Sequence, residues 1–557
     1  MPTPYFYAEG HIEPDGPGES ALNPAQSKTP STHGNSSHGN REIPGVPEGD
    51  GPSGRSEKAQ GRTPDMHTPG KSDSREVPEK RPNKEAQAPA EVVEGRRLTK
   101  GNPQETAAPR TQCRTSASTG LERVREAARQ DKQARFTALL HHVTEDLLWE
   151  SFHALKREAA PGIDGVTWKE YEVDLEVHLR KLHGRVHQGT YCAQPSKRAY
   201  IPKPDGRMRP LGIAALEDKI VQGAVVKVLE PIYEEDFLGF SYGFRPGRGP
   251  HQALDALWMG ITRKKVNWVL DADIRGFFDT INHGWLMKFL GHRIADPRVL
   301  RLVQKWLQAG VSEDGTWTKT DVGTPQGAVA SPILANVYLH YVLDLWVEQW
   351  RKQNANGDVI IVRWADDFVM GFQHRHEAER FLKELQERMS KFGLALHPEK
   401  TRLIEFGRYA ADRRKERGEG KPETFNFLGF THICGKTRKT GAFIVRRQTT
   451  AKRLAAKLKE VRQKLMKLRH LPIKELGAWL RGVVRGYFNY HAVPDNLAAL
   501  KTFHKEVLRH WLYALRERSQ KHRMTWERFG RIVDRWIPRP TILHPYPNVR
   551  FLAIDPR

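Results

Sequence analysis

The chain has 557 residues and a formal net charge of +24, from 90 Lys and Arg against 66 Asp and Glu; this favours a polyanionic partner over a merely soluble basic protein, because basic side chains bind phosphates and release their counterions. Three cysteines, Cys113, Cys192 and Cys434, are too few and too far apart for a disulfide framework or a zinc site. The sequence lacks a signal peptide and any apolar run of the roughly 18–20 residues that span a bilayer, so we expect a cytoplasmic protein without a membrane partner.

The first 110 residues differ in composition from the rest of the chain. They contain 29 Pro and Gly and no Trp. A segment of this kind buries too little apolar surface to offset the entropy lost on ordering. We therefore predict that residues 1–118 form a disordered extension and that ordered structure begins near Leu121.

The next segments alternate between helical and strand patterns. Apolar residues at helical spacing, from Leu139 to Leu155, predict one amphipathic helix. Val266–Asp273 and Val359–Ala365 are predicted strands, and the spacing from Ala378 to Met389 predicts a helix after the second strand. This alternation up to about residue 430 is typical of an α+β domain. The charged stretch 408–423 is predicted to be an exposed loop.

A basic region follows the α+β domain. Between Lys436 and Arg469 there are 13 Lys and Arg and a single acid, Glu460. Apolar residues from Leu454 to Leu468 recur at helical spacing in the same region. We therefore predict a strongly basic helical domain in this part of the chain.

Three aspartates stand at the ends of the two predicted strands: Asp273 ends the first, and Asp366 and Asp367 follow the second. Carboxylates that converge repel one another unless a cation neutralises them. Mg²⁺ suits such oxygen ligands beside phosphates, and two ions roughly 3.5–4 Å apart stabilise both oxygens of a phosphoryl transfer. Adjacent aspartates are also common in turns and helix caps, so the pair alone is weak evidence. Its order after Asp273, with Pro325-Gln326-Gly327 between, strengthens the prediction.

Six sequence blocks surround these aspartates in a fixed order: PGIDGVTW (161–168), YIPKPDGRMRPLGI (200–213), FRPGRGPHQAL (244–254), GTPQGAVASPILANVYLH (323–340), FGLALHPEKT (392–401) and FNFLGF (425–430). They resemble the blocks of the reverse transcriptase/maturase proteins encoded by bacterial group II introns. The resemblance extends from about Leu121 to the C-terminus. It implies a right-hand polymerase with fingers and palm.

The resemblance assigns roles in catalysis. Asp273, Asp366 and Asp367 would be catalytic and, with the backbone carbonyl of Ile274, would hold two Mg²⁺ ions. Phe278 would lie under the sugar of the incoming nucleotide and exclude a 2′-OH, which selects deoxynucleotides. A phenylalanine that only packs in the core is the alternative.

Four further residues are expected to contact the nucleotide. Lys203 and Arg209 flank a Pro-Asp-Gly turn, and their side chains suit a triphosphate. Gln326 stands at the entry to a helix, whose N-terminus favours a phosphate or sugar ligand. Lys400 resembles a late palm lysine that donates a proton to pyrophosphate, and a solvated surface lysine is the alternative.

The sequence departs from the family pattern at two positions. Trp364 stands where the family usually has Tyr before Ala-Asp-Asp, so the aromatic plane is kept and the hydroxyl is lost. Ala328 stands where the family often has Gly, and its methyl group is expected to tighten the nucleotide pocket. Neither change removes a predicted metal ligand.

The C-terminal part also resembles the family. LRGVVRGYFNYH (480–491) resembles its maturase, or X, domain, and the residues after it resemble its DNA-binding region. The predicted nucleic-acid contacts are Arg245, Arg481, Arg485, Tyr487 and Phe488, since basic and aromatic side chains bind phosphates and stack on bases. A helix core with a basic outer face is the alternative. No CxxC pair occurs, so we expect no HNH nuclease domain.

We therefore predict an α+β right-hand polymerase with fingers and palm at 119–432, a thumb/maturase domain at 433–505 and a small basic DNA-binding region at 506–557. The predicted function is RNA-directed DNA synthesis combined with splicing of a group II intron RNA, using an RNA template, a DNA primer, dNTPs and a target DNA. A related reverse transcriptase in defence or repair is one alternative, and a splicing-only RNA-binding maturase is another. The oligomeric state stays open, with a homodimer among the possibilities.

Overall fold

The computed structural model describes residues 111–202, 208–518 and 524–554. The predicted extension up to residue 110 and Lys203 lie outside these ranges. The α-helices are α1 (Thr111–Gln130), α2 (Glu145–Ala154), α3 (Trp168–Glu172), α4 (Leu175–Gln188), α5 (Leu216–Asp236), α6 (Pro250–Arg263), α7 (Phe277–Thr280), α8 (His283–Gly291), α9 (Pro297–Gln308), α10 (Ser331–Leu339), α11 (Leu345–Gln353), α12 (Arg375–Lys391), α13 (Ala410–Glu416), α14 (Ala451–Lys467), α15 (Ile473–His491), α16 (Leu497–Arg516), α17 (Trp526–Trp536) and α18 (Pro547–Ile554).

The strands form three sheets. They are β1 (Ser196–Pro202), β2 (Met208–Ile213), β3 (Trp268–Asp273), β4 (Val311–Glu313), β5 (Thr316–Thr318), β6 (Val359–Trp364), β7 (Asp367–Phe372), β8 (Arg402–Glu405), β9 (Phe425–Phe427), β10 (Phe430–Lys436) and β11 (Phe443–Thr449). Their orders are β2-β1-β4-β5, β6-β7-β3-β8 and β11-β10-β9. The fold is therefore a mixture of helices and sheets, as the sequence predicted.

The N-terminal helices differ from the prediction at two places. Helix α1 begins at Thr111, inside the segment predicted to be disordered. The single helix predicted from Leu139 to Leu155 is wrong, because a 3₁₀ turn at Leu140–His142 precedes α2. Thr144 separates the two with extended backbone, and its hydroxyl accepts a hydrogen bond from the Leu147 N–H at 3.2 Å. A threonine in this conformation is a helix N-cap, so a helix starts after Thr144. The apolar spacing continues across this start, which is why the sequence predicted one helix instead of a turn and a helix.

The four-stranded sheet β6-β7-β3-β8 is antiparallel throughout. Strands β3 and β6 agree with the predicted strands to within two residues at each end, and α12 confirms the helix predicted after them. Leu270 and Ala272 face a large core that also contains the N-terminal helices. Val269 faces a second core, shared with α6 and the sheet β11-β10-β9. Both faces of the sheet are thus covered, and its functional groups lie at one end.

A short helix occupies the stretch predicted to be an exposed loop. Helix α13 is rich in charged residues, so its sequence alone favours solvent. The buried carboxylate of Glu405, at the end of β8, pairs with Arg417 and lies 3.9 Å from Arg413. This acid from outside the stretch anchors its basic residues. The loop prediction is wrong for residues 410–416, which form a helix, while most of the stretch is exposed as predicted.

The last helices share one core. Buried residues from Val461 to Ile537 pack together across α14, α15, α16 and α17. That core crosses residue 505, where the sequence analysis placed a domain boundary. Within the described residues, no helix combines the length and the apolarity needed to cross a bilayer.

Candidate active site

Two of the predicted aspartates face each other across neighbouring strands. Strands β6 and β7 form a tight hairpin in which Trp364 pairs with Asp367, leaving Ala365 and Asp366 as the turn. Asp367 is also in register with Asp273 on β3. Directly opposed residues of an antiparallel pair project to the same face, with Cα atoms roughly 5 Å apart. The register therefore brings the three aspartates to one end of the sheet.

The electrostatics of these aspartates reflect burial and mutual repulsion. Burial, reinforced by the charges of Asp271, Asp273 and Asp366, raises the pKa of Asp367 well above its ordinary value. Burial also raises the pKa of Asp366, while the charges of Arg209 and Lys400 oppose that rise. Because both shifts come from unneutralised negative charge in a desolvated place, the arrangement favours a bound cation.

Lys400 supplies positive charge at this edge. Its ammonium group forms an ion pair with the Asp273 carboxylate. The loop that carries it is tied to the end of β3, because the His397 N–H donates to the Asp273 carbonyl at 2.8 Å. The loop backbone thus fixes Lys400 beside a predicted catalytic group.

The aspartates fit a metal chemically, although they are not gathered around one point. Among the residues that the structure describes, no three His, Cys, Asp or Glu side chains are grouped closely enough to hold a metal ion. Asp273 is turned towards Lys400 instead. Oxygen donors with raised pKa values are nevertheless the ligand chemistry that a hard divalent cation neutralises.

Three of the predicted nucleotide contacts lie around this edge, in the part of the chain that the structure describes. Arg209 is exposed on β2, and its charge acts on Asp366. Phe278 is half-buried against the large core, so its ring contributes to packing while keeping one exposed side. The side-chain amide of Gln326 donates to the Asp279 carboxylate at 3.1 Å, and the backbone carbonyl of Gln326 accepts from the Gly212 N–H of β2 at 2.7 Å. The predicted ligand Ile274 is buried directly after β3.

The two departures from the family pattern have structural positions. Trp364 is half-buried and packs against the core beneath β9–β11. Ala328 is buried and lines an interior cavity with Thr324 and Leu334.

Three predicted nucleic-acid contacts are wrong, because their side chains are buried. Arg245 is 3% exposed, pairs with Glu234 at 2.9 Å, and donates to the backbone carbonyls of Leu238 and Ser241. Tyr487 and Phe488 belong to the core of the helical region. A guanidinium or ring that is already packed inside the protein has no surface left for a nucleic acid.

Arg481 and Arg485 are exposed on α15. Positions four residues apart lie on the same side of a helix, so the two cations are neighbours. They remain predicted contacts.

The sequence analysis missed two residues at the aspartate edge. Asp271 lies two residues before Asp273 on β3, so it faces the same side, and burial raises its pKa to about 6. The sequence Asp-Ala-Asp at the end of β3 was the signal for Asp271, because residues two apart on a strand face the same side. Arg363, one residue before Trp364, is completely buried and contacts the hairpin turn. An arginine inside an apolar strand was the signal for it.

The segment that contains the aspartates is similar in sequence to known proteins. Residues 201–432 match the family model of the reverse transcriptase (RNA-dependent DNA polymerase). The chain is 37% identical to Protein YkfC of Escherichia coli K12 over 38% of this chain and 62% of that protein. It is 31% identical to the group II intron-encoded protein LtrA of Lactococcus lactis over 52% of this chain and 50% of LtrA.

A third relative is an uncharacterised 91 kDa protein in the cob intron of Schizosaccharomyces pombe, 28% identical over 56% of this chain and 45% of that protein. The chain thus spans about half of the length of LtrA and of this protein, and 62% of YkfC. The resemblance to group II intron-encoded proteins that the sequence blocks predicted is confirmed. Residues 201–432 of this chain thus match a reverse transcriptase domain, and the chain is similar in sequence to a group II intron-encoded protein.

Proposed function

We propose that this protein is an RNA-directed DNA polymerase and maturase that binds a group II intron RNA, assists its splicing and copies it into DNA. The observation that carries the proposal is the register of β3 and β7, which sets Asp273 opposite Asp367 beside the Asp366 turn. It occurs inside the segment that matches the reverse transcriptase family.

In this proposal Asp273, Asp366 and Asp367 hold two Mg²⁺ ions, together with the Ile274 carbonyl. The ions would supply Lewis-acid stabilisation of the attacking and leaving oxygens. Lys400 would act as the proton donor to the leaving pyrophosphate. Its pairing with Asp273 supports this role, since the ammonium group already lies at the reacting edge.

The remaining contacts position the nucleotide. Arg209 binds the triphosphate, with Lys203 beside it in the sequence. Phe278 faces the sugar with its exposed side and excludes a ribonucleotide. Gln326 lies two residues after Thr324, whose N–H donates to the Phe278 carbonyl at 2.7 Å, so these two proposed contacts are joined through the backbone.

We further propose that the basic helices bind the intron RNA and the template–primer duplex. Exposed Arg481 and Arg485 neutralise phosphates, while the buried rings behind them keep α15 in place. The DNA-binding role of the region after residue 505 and retrohoming at a target DNA belong to the same proposal.

The test is extension of a DNA primer on an RNA template with Mg²⁺ and dNTPs, beside an assay of assisted splicing of a group II intron RNA. We expect the wild-type protein to do both. Splicing without extension would instead favour a splicing-only maturase. Extension without any effect on the RNA's splicing would favour a reverse transcriptase with another role, such as defence or repair.

A further inference from the structure

The hairpin turn that carries the aspartates has an unusual backbone. Ala365, the residue before Asp366, has φ +55°. A residue with a Cβ rarely adopts this left-handed region, and such strain persists only where the surroundings enforce it. The position of both aspartates depends on this residue, because it starts the two-residue turn between β6 and β7.

A buried arginine holds this turn from below. Arg363 is completely buried, and its Nη1 donates to the Ala365 carbonyl at 3.0 Å. Its Nε and Nη2 form a bidentate pair with the buried Asp344 carboxylate at 2.7 and 2.6 Å. The other two donors reach Asn336 Oδ1 at 3.1 Å and Ser241 Oγ at 2.7 Å. Every N–H of the guanidinium group therefore has an acceptor.

The same partners fix the segment that lies against the turn. Asn336 Nδ2 donates to the Gly243 carbonyl at 2.8 Å. A Cβ added to Gly243 would lie 2.3 Å from the Ala365 nitrogen, so only glycine allows this approach. The Tyr242 N–H also donates to the Arg363 carbonyl at 2.9 Å. The turn is thus enclosed between the arginine and the Gly243 backbone.

The helix that supplies the acid is itself irregular. Asp344 ends a π-helical segment, His340–Asp344, which interrupts the helix formed by α10 and α11. Single π-turns often occur where a helix must place a side chain for function. Here the segment brings a carboxylate of 0% exposure against Arg363.

We propose that Arg363 is a positioning residue for the reaction proposed above: it holds the Ala365 turn in the conformation that presents Asp366 and Asp367 to the metal ions. This inference rests on the proposed polymerase function. A buried ion pair is by itself weak evidence for stability. The bond to the turn carbonyl is what gives this pair a catalytic consequence.

The test compares Arg363→Lys with a matched control. Lysine keeps the charge beside Asp344 but lacks the planar fork that serves several acceptors at once. The control is Arg293→Lys, since Arg293 is also completely buried and paired, with Asp236 at 3.0 Å, but lies away from the turn. Both variants should lose thermal stability. A change that occurs in Arg363→Lys but not in Arg293→Lys is therefore an effect on the aspartate turn and not a general consequence of replacing a buried arginine.

The readouts are hydrogen exchange, primer-extension kinetics and template–primer affinity. Hydrogen exchange of the peptide spanning 360–370 should become faster in Arg363→Lys and stay unchanged in Arg293→Lys. The rate of primer extension at saturating template–primer should fall roughly tenfold to a hundredfold in Arg363→Lys alone, and the Mg²⁺ concentration for half-maximal extension should rise. Template–primer affinity should stay within twofold.

The exchange measurement needs no catalysis, so it tests the inference even if the wild-type protein fails to extend a primer, a result that would count against the proposed function only. A folded Arg363→Lys protein with wild-type exchange in the hairpin would overturn the inference. Equal effects of the two variants on the extension rate and on the Mg²⁺ requirement would overturn it as well.

Discussion

The sheet β6-β7-β3-β8 and the helix α15 both carry residues that the sequence assigned to function, and the assignments fared differently. At the sheet, Asp273 and Asp367 lie opposite each other on neighbouring strands. On α15, Arg481 and Arg485 are exposed, whereas Tyr487 and Phe488 are buried. A hairpin brings residues near its turn to one end, but a helix turns by about 100° per residue and distributes adjacent residues over opposite faces.

The largest expected effect is at the sheet. Asp366→Ala or Asp367→Ala should reduce primer extension to background while leaving RNA binding and assisted splicing largely intact, because these carboxylates are proposed to bind metals rather than RNA. Primer-extension and RNA-binding assays on the purified variants measure the loss of synthesis and the retained RNA binding. Asp412→Ala, an exposed acid on α13, is the control. A splicing loss as large as the extension loss would contradict the separation between the two regions.

The next effect concerns the buried rings of α15. Phe488→Ala should lower the free energy of unfolding by about 3–5 kcal/mol, because it leaves a cavity in the helical core. Chemical denaturation measures this change, and Asn489→Ala, exposed on the same helix, should change it little. If Phe488→Ala weakened RNA binding without loss of stability, the ring would be a direct contact after all.

A third prediction tests the core between the two sheets. Burial and the neighbouring charge of Arg447 lower the pKa of His432 to about 3. The unfolded state takes up the proton near pH 6.5 and the folded state does not, so stability is present above pH 6.5 and is lost as the pH falls. From this histidine the loss should reach about 2 kcal/mol at pH 5.

His432→Phe should remove that loss, since neither ring nitrogen has a hydrogen-bond partner within the described part of the chain. The imidazole ring stacks on Phe425 with ring centroids 4.7 Å apart, so a phenyl ring suits the same place. Denaturation at pH 7.5 and pH 5 measures the loss, with His376→Phe at an exposed position as the control. The same acid sensitivity in His432→Phe and wild type would show that other groups cause it.

The smallest effect is expected on the exposed face of α15. Arg481→Gln and Arg485→Gln should each weaken RNA binding and reduce the slope of log affinity against log salt by roughly 0.7–0.9, since each loses one phosphate contact. Melting temperatures should not change. Lys169→Gln, an exposed cation on α3, is the control. An unaltered slope in both variants would place the RNA interface elsewhere.

The candidate site was largely predictable where local pattern and backbone geometry agree. Apolar runs that end in acids predicted β3 and β6. The order of the sequence blocks predicted that the acids at the ends of these strands act together. The N-terminal helix boundary at Thr144 and helix α13 were missed, because hydrophobic periodicity ignores capping and a distant acid, Glu405, anchors the charged stretch.

By itself, the sequence predicted the resemblance to group II intron-encoded proteins and the placement of three aspartates at strand ends, because residues at strand ends have a short-range pattern that needs no tertiary information. Only the tertiary structure decided which basic and aromatic residues are inside. Arg245 was predicted to contact nucleic acid and Arg363 was given no role, yet both are buried because Glu234 and Asp344 approach from other elements. Burial of a charge depends on its partner, and the partner's position is a property of the fold.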